Sequence, residues 1–272
     1  MYNLVFFGRA DMWAGAMEHR TRLTLFRLGH GNAARAHGSS LAPSSPPAKK
    51  GKLRILALHG YGQSGASFRR KSGSLRKQCK NVAEFTFIDA LLKVPPRADA
   101  RNKDVDADGG LGWWRWNADE GVVSGWRESV AQIRETVHAH GPFDGIFAFS
   151  QGASLTALAL DDIKSRIKFV CLVGGFIPRN EEQARVLRGS APYANVDVWT
   201  SYGTSDQIIP WEKSLELHRA LVGSHEQRNG GGDNRSVIVT HQGGHLVSSE
   251  KGTRTSFKDF LNEQRQRNEP GH

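Results

Sequence analysis

Cysteine is almost missing from this chain. Its 272 residues hold two, Cys79 and Cys171, far apart and without C-x-x-C spacing, so neither a disulfide framework nor a zinc site is indicated. Long apolar runs are also missing: none approaches the roughly 18 residues that a membrane-crossing helix needs, which predicts no membrane span. Basic residues do not alternate with aromatic ones as they do in a base-stacking platform, so the formal charge of +10 does not predict nucleic-acid binding. That charge is uneven. Residues 1–52 carry eight Lys/Arg against Asp11 and Glu18, a net +6, which leaves +4 for all that follows.

The stretch GSSLAPSSPPAKKGK, from Gly38 to Lys52, has too little apolar surface to offset the entropy of ordering and reads as a linker. The expected organisation is therefore a basic, disordered N-terminal extension over 1–52, one catalytic domain over 53–266 and a short tail over 267–272. A cytoplasmic location is the default. The alternative is a mitochondrion or plastid, if residues 1–37, which are basic and apolar in patches (Leu23, Leu25, Phe26, Leu28), act as a transit peptide.

Beyond Lys52 the pattern alternates. Apolar runs of strand length lie at Leu53–Leu58, Phe85–Ile88, Gly145–Phe149, Phe169–Val173, Val196–Tyr202 and Val237–Thr240. Between and after them, helical spacing appears over Val123–His140, Ala153–Leu160, Trp211–Leu221 and Thr255–Arg265. Strands that alternate with helices predict an α/β fold with a mostly parallel central sheet, helices on both faces and ligand groups at the carboxyl ends of the strands.

Two glycine motifs compete to define the chemistry. Gly60-Tyr61-Gly62-Gln63-Ser64-Gly65 follows the first strand as a formal G-x-G-x-x-G, and Asp89 ends the next strand where a ribose-binding acid would lie, so an NAD(P)-dependent oxidoreductase is one reading. The other motif is Ala148-Phe149-Ser150-Gln151-Gly152 between the third strand and a helix. It has the form of a nucleophile elbow, a strained strand-to-helix turn that lifts a serine hydroxyl clear of the sheet. Ala148 stands where the pattern has glycine; the added methyl is expected to leave the turn intact, and it is the one hint of a non-catalytic, hydrolase-like binding protein. The partners of such a serine follow in the order acid, then histidine. Asp206 comes after the Val196–Tyr202 strand, and His241-Gln-Gly-Gly-His245 comes after the Val237–Thr240 strand.

His245 is favoured over His241 as the base because two glycines let its loop curl back toward the serine. Asp206 is favoured over Asp197, which lies inside a strand where its charge is expected to face away from the core. On this reading the first glycine loop forms an oxyanion hole, with backbone N–H groups from Tyr61 and Gln151, and His59 supports that loop. Asp104-Val-Asp106-Ala-Asp108-Gly109 imitates a calcium loop but has Arg115 where a bidentate Glu is required, so no metal is expected, nor any cofactor.

Taken together, LRILALHGYGQSG, FTFIDA, GWWRW, GPFDGIFAFSQGA, KFVCLVGGFIPR, SYGTSDQIIP and HQGGH, in that order from about Leu53 to about Phe260, resemble the FSH family of serine hydrolases. The resemblance implies an α/β-hydrolase fold, Ser150, Asp206 and His245 as catalytic triad, and a small-molecule carboxylic ester or thioester as substrate. It also places Trp113, Trp114 and Trp116 in a region that overhangs the site. There Trp113 and Trp114 either wall an acyl pocket or pack the core.

Overall fold

The computed structural model describes residues 51–95, 110–117, 122–189, 195–223 and 235–268. The extension before position 51 and the Asp104–Gly109 turn lie outside them. In chain order the elements are β1 (Leu53–Leu58), α1 (Gly65–Lys71), α2 (Gly73–Gln78), β2 (Ala83–Ile88), β3 (Leu92–Val94), β4 (Gly110–Gly112), β5 (Arg115–Asn117), β6 (Val122–Ser124) and α3 (Trp126–His140). They continue with β7 (Gly145–Phe149), α4 (Gln151–Ile163), β8 (Phe169–Val173), α5 (Glu181–Gly189), β9 (Asp197–Gly203), α6 (Trp211–Val222), β10 (Ser236–His241) and α7 (Lys251–Arg267).

The main sheet has the order β10-β9-β8-β7-β1-β2, with every neighbouring pair parallel. Its inner strands are continuous apolar runs because helices cover both faces. Alternate residues feed two cores. Leu56, Leu58, Ile146, Ala148 and Leu172 face Ile133 and Val137 of α3, Leu155 of α4 and Leu217 of α6. Ile55, Ala57, Phe147, Phe149 and Cys171 face Phe68 of α1, Leu75 of α2, and Phe257 and Phe260 of α7. Each fully buried Leu, Ile or Phe contributes roughly 1.5–3 kcal/mol.

The chain runs from β1 outward to β2 and then crosses back to β7 on the other side of β1. Strand order reverses there, so the loops leaving β1 and β7 diverge and open a crevice at their carboxyl ends. No described helix is long and apolar enough to cross a membrane.

Helices α2 and α5 and the short strands β3 to β6 have no counterpart in the expected pattern, α7 starts at Lys251 and not Thr255, and three further differences have a local physical reason. The helix expected from Val123 begins at Trp126, because β-branched Val122 and Val123 pair with Asn117 and Trp116 in a two-stranded ribbon and Gly125, at φ +87°, then turns the chain. The helix after Ser150 runs from Gln151 to Ile163, longer than its apolar pattern, because its first and last turns use polar residues. Helix α1 escaped notice inside the glycine motif. Ser64 and Ser67 close a reciprocal capping box at its start, a local signal stronger than the glycines that mask it.

Candidate active site

Ser150 sits in the single turn between β7 and α4, with φ 54° and ψ −118°, and is the only non-glycine with positive φ among the described residues. Its N–H donates to the Val173 carbonyl of neighbouring β8 at 2.8 Å, and its carbonyl accepts from Ala153 and Ser154 of α4. The strained backbone is thus held from both sides. Gly152 is required by close approach: a Cβ there would stand 2.5 Å from the His59 carbonyl oxygen and 2.8 Å from that of Leu58. Ala148 is fully buried in the same core as Ala153 and Ala157 of α4, so its methyl is accommodated as expected.

The imidazole of His245 bridges Ser150 and Asp206. Nε2 lies 2.8 Å from Ser150 Oγ, and Nδ1 lies 2.6 Å from Asp206 Oδ2. A carboxylate only accepts, so Nδ1 carries the proton and Nε2 is the acceptor that faces the serine hydroxyl. The other carboxylate oxygen, Oδ1, accepts from the backbone N–H groups of Ile208 and Ile209, each at 2.9 Å. Both side chains are almost fully enclosed, and Phe149 packs its ring 4.8 Å from that of His245. Three loops, after β7, β9 and β10, therefore converge on one sheet edge.

His241 does not join them. It is buried at the end of β10, where its Nδ1 accepts the Gly243 N–H at 3.1 Å and its carbonyl accepts the Thr204 N–H, tying the loop that carries His245 to the loop that carries Asp206. Burial holds its pKa below the ordinary value of 6.5, which keeps Nδ1 free to accept. Asp197 departs from expectation. Instead of facing away from the core it is 95% buried, and it accepts from the Arg235 N–H, Gln264 Nε2 and Arg267 Nη1, anchoring the end of α7 to β9.

The loop after β1 lies against Ser150. A Cβ on Gly60 would stand 2.8 Å from the Phe149 ring and 3.3 Å from Ser150 Cβ, so only glycine lets the loop come this near. The Gly60 N–H donates to Gln63 Oε1, and the Gly62 N–H donates to the Leu111 carbonyl. His59 is fully buried and donates from Nδ1 to the Gly60 carbonyl while Nε2 accepts the Ala90 N–H. Asp89 does not await a ribose: its Oδ1 accepts the Gly65 N–H at 2.6 Å, at the first turn of α1.

Both tryptophans are buried in the core. Trp113 is fully enclosed, its Nε1–H donates to the His59 carbonyl and its ring lies 5.0 Å from the His59 imidazole, so it packs the core. Trp114 does line a cleft of about 1020 Å³, with Trp116, Phe176, Ile208 and Ile209. The residue that joins this region to the elbow is Gln151. Its Oε1 accepts the Trp113 N–H and its Nε2 donates to the Trp114 carbonyl. Sequence reasoning assigned Gln151 only a backbone role, because its partners lie 37 and 38 positions away.

Both cysteines are free and buried; burial pushes the Cys79 thiol up to about 12 and the Cys171 thiol well above its ordinary value, so neither is a nucleophile.

The serine hydrolase (FSH1) family profile matches residues 49–257. Esterase OVCA2 of Danio rerio is 33% identical over 232 residues, which cover 77% of this chain and 96% of that one. An esterase of Caenorhabditis elegans is 32% identical over 229 residues, covering 78% and 94%. Among solved structures, the Bacillus cereus carboxylesterase superposes with a TM-score of 0.55 at 17% identity, covering 78% of this chain and 89% of that one, a likeness of fold.

Proposed function

The chain belongs to the serine hydrolase (FSH1) family, and from that premise we propose that it cleaves carboxylic esters or thioesters through an acyl-Ser150 intermediate. The observation that carries this reading is the hydrogen-bonded run Ser150 Oγ, His245 Nε2, His245 Nδ1, Asp206 Oδ2, at 2.8 and 2.6 Å. His245 Nε2 takes the hydroxyl proton as Oγ attacks the acyl carbon, and Asp206 stabilises the resulting imidazolium. The tetrahedral oxyanion is held by the N–H of Gln151, at the first position of α4 where a helix has no internal acceptor, and by that of Tyr61 on the loop beside Ser150. The imidazolium then returns its proton to the departing alkoxide or thiolate. A water, deprotonated by the same Nε2, attacks the acyl-serine, and Oγ leaves with the proton. One ester bond and one water are consumed; one acid and one alcohol or thiol are formed.

The oxidoreductase reading is opposed by Asp89, engaged by Gly65, and by Gly60, packed against Phe149 and Ser150. The names of the two relatives favour esters as the first substrates to assay. A fluorophosphonate probe tests the mechanism. The protein is expected to label stoichiometrically, with labelling abolished in Ser150→Ala; labelling that survives this change refutes the assignment, and absence of labelling in the wild type leaves the binding-protein reading.

A further inference from the structure

The cleft lined by Trp114 has a wall that simple ester hydrolysis does not use. One side is apolar, with Trp114 and Phe176 edge to face at 6.4 Å between ring centroids, and with Ile208 and Ile209. The lining also includes two cationic side chains, Arg179 in the turn before α5 and Arg185 on α5. Its acidic residues, Glu181 and Glu216, offset these cations only in part, since Arg188 and Lys213 line the cleft as well. Glu216 is already held by Lys213 at 3.0 Å and Arg188 at 3.2 Å, which keep its carboxyl below the usual range. Arg179 and Arg185 form no ion pair among the described residues.

A second observation points the same way. Gln183, on α5, lines this cleft and is fully buried, yet among the described residues neither Oε1 nor Nε2 has a hydrogen-bond partner. Among them it is the one side chain with two separate polar atoms left unpaired. Buried amides are ordinarily satisfied, because desolvation without a partner is costly. An unpartnered amide in the wall of a cleft has hydrogen-bonding capacity to offer a polar ligand group.

The walls are also bonded to the reacting residues. The Ile208 and Ile209 N–H groups hold Asp206, the Trp114 carbonyl accepts from Gln151, and the Phe176 carbonyl accepts from Ser154 at 2.6 Å, one helical turn past Ser150. Gly174, two residues before Phe176, lies directly against His245.

We infer that this cleft is a recognition subsite for an anionic arm, so that the preferred substrate is an ester or thioester bearing a carboxylate or phosphate at the end of an apolar segment. The segment lies over Trp114 and Phe176, Arg179 and Arg185 attract the anion, and the Gln183 amide, closed off in the wall, is uncovered by side-chain movement on binding and pairs with the polar atoms of the arm. The inference rests on the hydrolase reading for its meaning, but binding tests it without turnover.

Ser150→Ala protein is titrated by calorimetry with octanedioic acid monomethyl ester, with octyl phosphate and with neutral methyl octanoate. Tighter binding of an anionic ligand by about fivefold is expected, since the two arginines are solvent-accessible and such pairs are individually weak. Which anion binds best identifies the headgroup. The advantage should vanish in Arg179→Ala/Arg185→Ala and shrink as salt is raised. Gln183→Leu should weaken binding of the anionic ligands while raising the melting temperature, because it removes an unsatisfied buried amide; a purely structural glutamine would change stability alone. Equal affinity for neutral and anionic ligands, or an anionic preference that survives the double arginine change, overturns the inference. Hydrolysis of neutral esters with no such preference would leave the catalytic reading standing while removing this one.

Discussion

Replacing Asp206 by Asn separates charge from shape at the site. The change is nearly isosteric, and Oδ1 can go on accepting from Ile208 and Ile209. The amide nitrogen must then point at His245 Nδ1. Flipping it would set an N–H donor against two backbone N–H donors, leaving both orphaned at about 1–3 kcal/mol each. The imidazole, by contrast, changes tautomer without losing a hydrogen bond. The tautomer change wins, Nδ1 becomes the acceptor, and Nε2 carries the proton toward Ser150, where it can no longer take one. A wrong-tautomer histidine costs kcat roughly a thousandfold to ten-thousandfold, or about 4–5.5 kcal/mol of barrier. Stability should stay close to wild type, because every hydrogen bond has a replacement. Asp206→Ala orphans the two isoleucine N–H groups and should unfold more easily, yet it leaves the tautomer free and so should be no less active than the Asn variant. The assay is steady-state hydrolysis of p-nitrophenyl esters, with thermal unfolding alongside. An Asn variant that keeps more than about a tenth of wild-type kcat, or that clearly outperforms Ala, would refute the reasoning.

Removing His245 should cost activity on the order of a thousandfold or more, whereas His241→Asn, which alters only the support of the loop, should cost far less; equal losses in the same assay would sink the distinction. Trp113→Ala empties a fully buried site and should destabilise by about 3–5 kcal/mol in denaturant unfolding, while Trp114→Ala should shift the preference in a chain-length series of esters; an unchanged preference argues against Trp114 as a pocket wall. Gly152→Ala sets a methyl 2.5 Å from the His59 carbonyl, so α4 must retreat from β1, and activity and melting temperature should fall together. The cysteines should resist Ellman's reagent at neutral pH until the protein is unfolded. Because the unfolded thiol ionises near its ordinary 9.0 while Cys79 in the fold holds its proton to about 12, stability should be unaffected by this group below the first value and decline between the two, as denaturant midpoints across that window will show.

The order of chemistry-bearing residues along the chain was legible because each sits at the end of an apolar run whose length and composition announce a buried strand. Ser150, Asp206 and His245 are singled out by chain order alone, and Ala148, buried against α4, is small enough for the turn seen at Ser150. The choice of His245 over His241 followed from the two glycines between them. Other features were opaque because they depend on partners distant in sequence. The carboxylate of Asp197 looked incompatible with a core position, and only the arrival of α7, with Gln264 and Arg267, makes its burial tolerable. Trp113 and Trp114 are adjacent and chemically identical and both meet the core; that Trp114 also lines a cleft is decided by the path between β4 and β5.

What the sequence determined by itself is the alternation of strand and helix, and hence a parallel sheet with the reactive serine, acid and histidine in loops at one end. That is a matter of local periodicity and chain order. The tertiary structure alone decided which side chains touch: that Asp206 is oriented by two backbone N–H groups, that Gln151 pins the tryptophan segment to the elbow, and that Gln183, in a cleft lining shared with Arg179 and Arg185, is buried without a partner among the described residues. Those contacts join positions tens of residues apart, and their energies depend on distances and burial that no local pattern carries.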